Sequence, residues 1–428
     1  MKFLNKKNLI IIGVVIIIAI VGLLFIYKPS SGPVVLLKDG EVTEEGLINI
    51  VDANNEFAFD LYSKYQSEDG NIFFSPLSIS SALAMTYEGA RGQTAEEIQS
   101  VFHFPKDSLV MRSAYANLNN EINKENNEYK ISIANALWAE QDFTFLDEYF
   151  DLVKQYYDGG VTNLDFKNNS ENSRITINSW VEDKTNDKIK NLIPRGLVDK
   201  STRLVLTNAI YFKGDWIKQF NEDKTEERDF ALSSGDKIKV ETMKKTGDES
   251  RFKYFENKDL QVLEMPYSGE ELSMLILLPK DNDMQSLEKS ISVNQLSKWK
   301  KGLEEQRVNV YIPKFKFETK YFMADDLKDM GMPIAFSGVA DFSGMTGKTD
   351  LMISELIHQA FVEVDEKGTE AAAATAVVMM ESAMPGSSPT PQIPVFRADH
   401  PFIFIIQQNN TGNILFMGRV NNPEESSI

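Results

Sequence analysis

The chain of 428 residues contains no cysteine. Disulfide bonds, thiolate metal sites, a cysteine nucleophile and lipid attachment at a cysteine are therefore excluded. Histidine is almost as scarce, since only His103, His358 and His400 occur. No nucleophile-elbow serine motif, HExxH metal pair or phosphate-cradling glycine loop accompanies them. The sequence therefore predicts no enzyme, no metal site and no cofactor.

Basic residues are fewer than acidic ones, 45 against 63, and the formal net charge is −18. No basic block occurs beyond the first few residues, so the composition argues against nucleic-acid binding. An excess of negative charge is typical of a soluble, self-repelling surface. The hydrophobic share of 42% is ordinary for a globular protein.

The one long uncharged run extends from Leu9 to Tyr27. At about 1.5 Å per residue it would span about 28 Å, close to the roughly 30 Å of a bilayer core. Three lysines precede the run and one follows it, which points the remaining chain outward. We predict a cytoplasmic segment over 1–8, a membrane anchor over 9–27 and a linker over 28–41. A cleaved signal peptide, with secretion, is the alternative, although no clear cleavage motif precedes Lys28.

Residues 42–423 contain no low-complexity break and no obvious repeat, which predicts one large domain followed by a tail over 424–428. Apolar periodicity predicts helices over 48–65, 78–88, 94–101, 146–157 and 172–189, with a capping box at Thr94. Runs of β-branched and aromatic residues predict strands over 129–138, 202–212, 260–265, 272–278, 308–316 and 356–364. Helices first and strands later, without βαβ alternation, indicate an α+β fold.

Two polar patterns stand out within apolar surroundings. After Phe73-Phe74, which reads as a short buried strand, Ser75 is placed to cap a small-residue helix that has Pro76 in its first turn. Asn208 lies in the middle of a hydrophobic strand, and His358 lies in another. A buried polar side chain left without partners costs about 1–3 kcal/mol, so both side chains require hydrogen-bond partners.

With these motifs the chain resembles a serpin, from about residue 42 to Pro423. The matching segments follow the family's order and are Asn71–Ser81, Ile177–Val181, Thr207–Trp216, His358, Glu363–Thr375, Phe396–Phe402 and Leu415–Val420.

The resemblance implies three β-sheets, eight or nine helices and an exposed reactive loop, here about 366–394. It implies a monomer whose partner is a serine protease. That protease would cleave the loop, become acylated and be trapped as the loop inserts into the central sheet. By the same resemblance, Ser75, Ser78, Asn208 and His358 form the cluster where the strands must part, and Trp216 lies where insertion starts.

The hinge of this loop has the composition that insertion requires. In a strand starting at Gly368, alternate residues share one face. Those facing the core would be Thr369, Ala371, Ala373, Thr375 and Val377, all of which are small or β-branched. The hinge as a whole comprises Glu366, Gly368, Thr369, Ala371, Ala372, Ala373, Ala374 and Thr375. An alanine-rich helical or flexible linker is the alternative interpretation of the same residues.

The position of the scissile bond follows from the family's nearly fixed spacing. Counting Glu366 as the seventeenth residue before the bond places it between Ser382 and Ala383. Counting back from Pro401-Phe402 would place it at Thr390-Pro391, where proline blocks most serine proteases. Met380, Glu381 and Met384 are neighbouring alternatives. A small residue before the bond suits an elastase- or subtilisin-like protease.

A carrier or chaperone with the same fold and no inhibitory cycle is the alternative function. Members without inhibitory activity tend to have bulky or charged hinge residues, whereas the hinge residues expected to face the core are small or β-branched here.

Overall fold

The computed structural model describes residues 42–122, 128–157, 159–369 and 393–424. The predicted anchor at 9–27 and its flanking segments 1–8 and 28–41 lie outside these residues. Among the described residues, no helix is both long enough and apolar enough to cross a bilayer.

Helices form mainly in the first part of the domain, as the periodicity predicts. The described residues contain ten α-helices: α1 (Glu44–Tyr65), α2 (Pro76–Gly89), α3 (Gly92–Val101), α4 (Ser108–Ile122), α5 (Asp147–Tyr157), α6 (Phe166–Lys184), α7 (Met284–Ser290), α8 (Val293–Lys301), α9 (Ala324–Met330) and α10 (Ser343–Thr346). The resemblance implied eight or nine. The last of the ten, α10, is a single turn of four residues.

The described residues also contain seventeen strands: β1 (Ile72–Phe74), β2 (Tyr129–Glu140), β3 (Gly160–Leu164), β4 (Leu204–Asp215), β5 (Glu226–Ala231), β6 (Lys237–Lys245), β7 (Arg251–Glu256), β8 (Leu260–Pro266), β9 (Leu272–Pro279), β10 (Glu304–Arg307), β11 (Asn309–Pro313), β12 (Phe315–Phe322), β13 (Glu355–Val364), β14 (Gly368–Thr369), β15 (Val395–Arg397), β16 (Phe402–Gln408) and β17 (Ile414–Val420).

The strands form three sheets, as expected. The six-stranded sheet has the order β12-β13-β14-β4-β2-β3, the seven-stranded sheet β1-β17-β16-β9-β8-β7-β10, and the four-stranded sheet β15-β11-β6-β5. One large apolar core includes residues of both larger sheets, and Phe73 stacks there on Phe404 and Phe416 at 5.5 and 5.3 Å between ring centroids. A second core packs α6 against the six-stranded sheet. The α+β architecture is therefore confirmed.

Two local predictions are wrong for identifiable reasons. The predicted capping box at Thr94 does not form, because α3 starts at Gly92 and the buried Thr94 hydroxyl instead accepts from the Asp341 N–H at 2.9 Å. The single strand expected over 308–316 is two strands. At Lys314, directly after Pro313, the chain passes from the four-stranded sheet into the six-stranded one.

The region around Ser75 folds as predicted. Its side chain accepts from the Ser78 N–H at 3.2 Å, and Pro76 occupies the first position of α2. Nearly every residue of α2 is buried, because small side chains allow this helix to pack closely under the six-stranded sheet.

Candidate functional site

The distinctive feature of the six-stranded sheet is a partly opened seam, which comprises β4, β13 and the short β14. In the lower part, Val205–Tyr211 of β4 pair directly and in parallel with Glu355–Phe361 of β13. Above this stretch β14 lies between the two strands, with Gly368 opposite Asp215 and Thr369 opposite both Gly214 and Val364. The end of the seam at Asp215 is called the top, and the end at Leu204 the foot.

Gly368 is required by close packing of the backbone at this point. A Cβ atom on Gly368 would lie 2.1 Å from the carbonyl oxygen of Gly214, a distance that no side chain can occupy. The glycine therefore lets the chain enter the sheet from the turn that precedes it.

Thr369 is the first hinge residue with a side chain inside the sheet. It is 1% exposed, and its hydroxyl is hydrogen-bonded to that of Tyr267 at 2.7 Å. The Tyr267 ring stacks on Trp216 with 4.4 Å between centroids, and burial raises the pKa of the Tyr267 hydroxyl. Trp216 thus lies at the top of the seam, directly beneath the entering chain.

Trp216 also holds the turn from which β14 enters. Its indole N–H donates to the carbonyl of Asp365 at 3.1 Å, and its backbone N–H donates to the carbonyl of Lys367 at 2.7 Å. The Asp365 carboxylate accepts from the N–H groups of Lys367 and Gly368 at 2.9 and 3.1 Å. Burial raises the pKa of Asp365, and these two hydrogen bonds act in the opposite direction.

Glu366 is fixed by contacts with two other parts of the chain. Its carboxylate accepts from the Thr225 hydroxyl at 2.6 Å and lies 3.4 Å from the Lys314 ammonium. Burial opposes the charged form, but the Thr225 hydrogen bond and the Lys314 charge outweigh it and lower the pKa of Glu366. Insertion beyond Thr369 would therefore begin from an anchored turn.

Halfway down the seam, a hydrogen-bonded cluster joins β4 and β13 to α2. Asn208 is the direct strand partner of His358, and its amide oxygen pairs with His358 Nδ1. The Asn208 amide nitrogen donates to the Ser78 hydroxyl at 2.6 Å and to Asn135 Oδ1. The Ser75 backbone N–H donates to His358 Nε2 at 3.1 Å. The partners that a buried amide and imidazole require are thus all supplied.

His358 is held neutral by this arrangement. Because Nε2 accepts from Ser75, the ring proton is on Nδ1, where it is donated to Asn208. Complete burial lowers the pKa of His358 to about 3. Protonation would place a charge in the core and remove the acceptor for the Ser75 N–H.

This pKa predicts acid sensitivity with a defined window. A histidine in the unfolded chain has a pKa of about 6.5. Between about pH 6.5 and 3 the unfolded state therefore binds a proton that the folded state does not. Stability due to neutral His358 is present above that window and is lost as the pH falls through it. At about pH 4.5 the loss should be about 2–3 kcal/mol, at about 1.4 kcal/mol per pH unit.

Urea unfolding near neutral pH and near pH 4.5, in the wild type and in His358→Gln, measures this loss. The variant lacks the titrating group, so its stability should fall by about 2–3 kcal/mol less than that of the wild type over the same interval. An equal decrease in both proteins would contradict the assignment to His358.

The structure brings Ser75, Ser78, Asn208 and His358 into one cluster and places Trp216 at the top of the seam. Of the hinge residues it describes Glu366, Gly368 and Thr369. The remaining predicted site residues lie outside the described residues: Ala371, Ala372, Ala373, Ala374, Thr375, Ser382 and Ala383.

Sequence reasoning missed three residues of this region. Asn135 lies opposite Asn208 on β2, and its position in the middle of an apolar strand gave the same signal that singled out Asn208. Tyr321 lies opposite His358 on β12, with 6.3 Å between ring centroids. Tyr267 carries the Thr369 contact. Neither tyrosine has a sequence signal, because both depend on strand register.

Comparison with known proteins places this geometry in a family. The model of the family "Serpin (serine protease inhibitor)" matches residues 52–423. An "Uncharacterized serpin-like protein" of Methanosarcina acetivorans is 45% identical over 88% of this chain and 87% of its own length. Human Serpin B3 is 42% identical, and the leukocyte elastase inhibitor of Xenopus laevis is 41% identical, each over 88% of this chain and all of the relative.

Solved structures show the same similarity. Uncleaved ovalbumin superposes with a TM-score of 0.78 at 33% identity, covering 88% of this chain and all of ovalbumin. Human thyroxine-binding globulin complexed with thyroxine superposes with a TM-score of 0.80 at 32% identity, covering 89% of this chain and all of that protein.

Proposed function

The chain belongs to the serpin family, and we propose that it inhibits a serine protease by suicide trapping, with its cleaved loop inserting into the seam. The family is described as one of serine protease inhibitors rather than enzymes, and the homologue from Xenopus laevis is named for elastase inhibition. The observation that carries the proposal is β14, because two hinge residues already lie between β4 and β13 as an antiparallel strand.

Extending this strand gives a register that two independent pairings support. Continuing the pairing of Gly368 with Asp215 down β4 brings Thr375 opposite Asn208. Continuing the pairing of Thr369 with Val364 down β13 brings Thr375 opposite His358. Asn208 and His358 are themselves partners, so the two extrapolations agree. The inserting strand would separate this pair, and the Thr375 hydroxyl would come to lie beside both side chains.

The same register supports the proposed bond. Pairing along the whole of β4 ends when Met379 lies opposite Leu204, and Ser382 follows three residues later, just past the foot of the sheet. A bond at Thr390-Pro391 would add eight residues, or about 27 Å of extended chain at about 3.4 Å each. That slack would remove the tension that must distort the trapped protease, so we favour Ser382–Ala383.

Mixing the protein with pancreatic elastase, and separately with subtilisin, tests the function. An inhibitor gives a covalent complex that survives boiling in detergent, and mass spectrometry of the released peptide identifies the bond. We expect cleavage between Ser382 and Ala383. A cut outside residues 379–385 would overturn the register count, and cleavage by a panel of serine proteases without any covalent complex would favour the carrier or chaperone alternative.

We also propose that residues 9–27 anchor the protein in the cell membrane with the serpin domain outside the cytoplasm. The length of this segment and the lysines on either side of it support the proposal. Deletion of residues 1–28 should release the protein from the membrane fraction. N-terminal sequencing of the natural product distinguishes the anchor from a cleaved signal, because a cleaved protein would start after the apolar run.

A further inference from the structure

A cavity of about 270 Å³ lies at the foot of the six-stranded sheet, away from the hinge and the hydrogen-bonded cluster. Its lining comes from four parts of the chain that meet there. Glu140 ends β2, Lys167 lies in the first turn of α6, Arg203 precedes β4, and Lys348 lies between α10 and β13. At about 30 Å³ per water-sized group, the cavity has room for about nine such groups.

Glu140 forms the buried end of this cavity. Glu140 is 2% exposed, and its Oε2 accepts from the Lys167 backbone N–H at 3.0 Å. Its other oxygen, Oε1, is buried and has no hydrogen-bond partner among the described residues. A carboxylate offers about four acceptor sites, and leaving a buried one unmade is costly. A donor is therefore missing beside Oε1.

The mouth of the cavity carries more positive than negative charge, although the carboxylate of Asp350 also lines it. Lys200, Arg203 and Lys348 form no ion pair within the part of the chain that the structure describes, whereas Lys167 pairs with Asp142 at 3.1 Å. The Arg203 guanidinium donates to the carbonyls of Lys200 and Thr202, both at 3.1 Å, and so is held at this edge. The three cations therefore exceed the one carboxylate, Asp350, that is left at the mouth once Asp142 is paired with Lys167.

We propose that this cavity binds a small α-amino acid. The ammonium group would donate to Glu140 Oε1, and the α-carboxylate would lie among Arg203, Lys200 and Lys348. A simple anion would face the Glu140 carboxylate, and a simple amine would leave the excess positive charge of the mouth unbalanced. Among the described residues, no group of three or more acidic or histidine side chains is arranged to hold a metal ion. A ligand with both charges satisfies both ends.

Isothermal titration of the full chain with glycine, alanine and glutamate tests the site. Methylamine and acetate, which each carry one of the two charges, serve as half-ligands. We expect saturable binding of at least one amino acid, and at least tenfold weaker binding of each half-ligand. Absence of saturable binding up to about 10 mM, which corresponds to about −2.7 kcal/mol, would overturn the proposal. Equal binding of acetate would overturn it as well, since it would reveal a plain anion site.

The variant Glu140→Gln keeps the shape of the side chain but removes its negative charge. We expect at least tenfold weaker amino-acid binding, with Glu148→Gln, the same change on the exposed side of α5, as the matched control. Unchanged affinity in Glu140→Gln would contradict the assignment. Lys348→Gln tests the other end of the cavity at an exposed position. Its affinities for acetate and for the amino acid should fall together, while its affinity for methylamine stays the same.

Discussion

Replacing Thr369 by arginine is expected to abolish the covalent protease complex while the loop remains cleavable. Thr369 is 1% exposed, and its hydroxyl contacts Tyr267 between β4 and β13. An arginine at this position would be a buried charge without a partner, which costs several kcal/mol, so the hinge would stay out of the sheet. Without insertion the acyl-enzyme would hydrolyse and release active protease. Denaturing gel electrophoresis of the variant mixed with protease measures both products.

Two matched variants separate burial from general damage to the loop. Thr369→Ser retains the hydroxyl that contacts Tyr267 and should form the complex at close to the wild-type yield. Glu370→Arg introduces the same charge one residue later, on the opposite face of the extended strand, and should also form it. A full yield of complex from Thr369→Arg would show that this side of the strand is not buried on insertion.

Cleavage of the loop should raise the melting temperature of the protein by about 10 °C or more. Beyond β14, residues 370–379 would complete the new strand along β4 and gain backbone hydrogen bonds at about 1 kcal/mol each, less the entropy cost of ordering the loop. A net gain of about 5 kcal/mol corresponds to about 10 °C at about 2 °C per kcal/mol for a large domain. Calorimetry of intact and nicked protein measures the difference.

The nicked Thr369→Arg variant is the control for this measurement. It carries the same broken bond but should not insert its loop, so nicking should leave its melting temperature unchanged within about 2 °C. Equal melting temperatures of intact and nicked wild-type protein would exclude loop insertion as the source of trapping energy.

The residues that could be recognised from the sequence are those whose chemistry conflicts with their surroundings. Asn208 and His358 stood out as polar groups in apolar strands, and Gly368 stood out before a run of small residues. Asn135 carried the same signal as Asn208 but lay outside the motifs used for the resemblance. Local pattern therefore singled out Asn208 and His358, whereas their grouping with Ser75 and Ser78 was implied by the family resemblance.

Features that depend on long-range pairing could not be predicted in the same way. Tyr267 reaches Thr369 only because β14 has entered the seam, and the capping box at Thr94 failed because that hydroxyl binds Asp341 from a distant loop. The division at Lys314 likewise depends on which sheet each half joins. In each case a tertiary contact competed with a local preference and prevailed.

Under the proposed mechanism, loop insertion would replace the parallel pairing of β4 with β13. Each of the seven direct pairs in the seam would be exchanged for two antiparallel ones, and parallel pairing is slightly the weaker of the two kinds. Once the exchange is complete, reversal requires breaking twice as many pairs as the uncleaved protein had there. Under the proposed mechanism each molecule would therefore trap one protease only, and the capacity for inhibition would be set by how fast the protein is replaced.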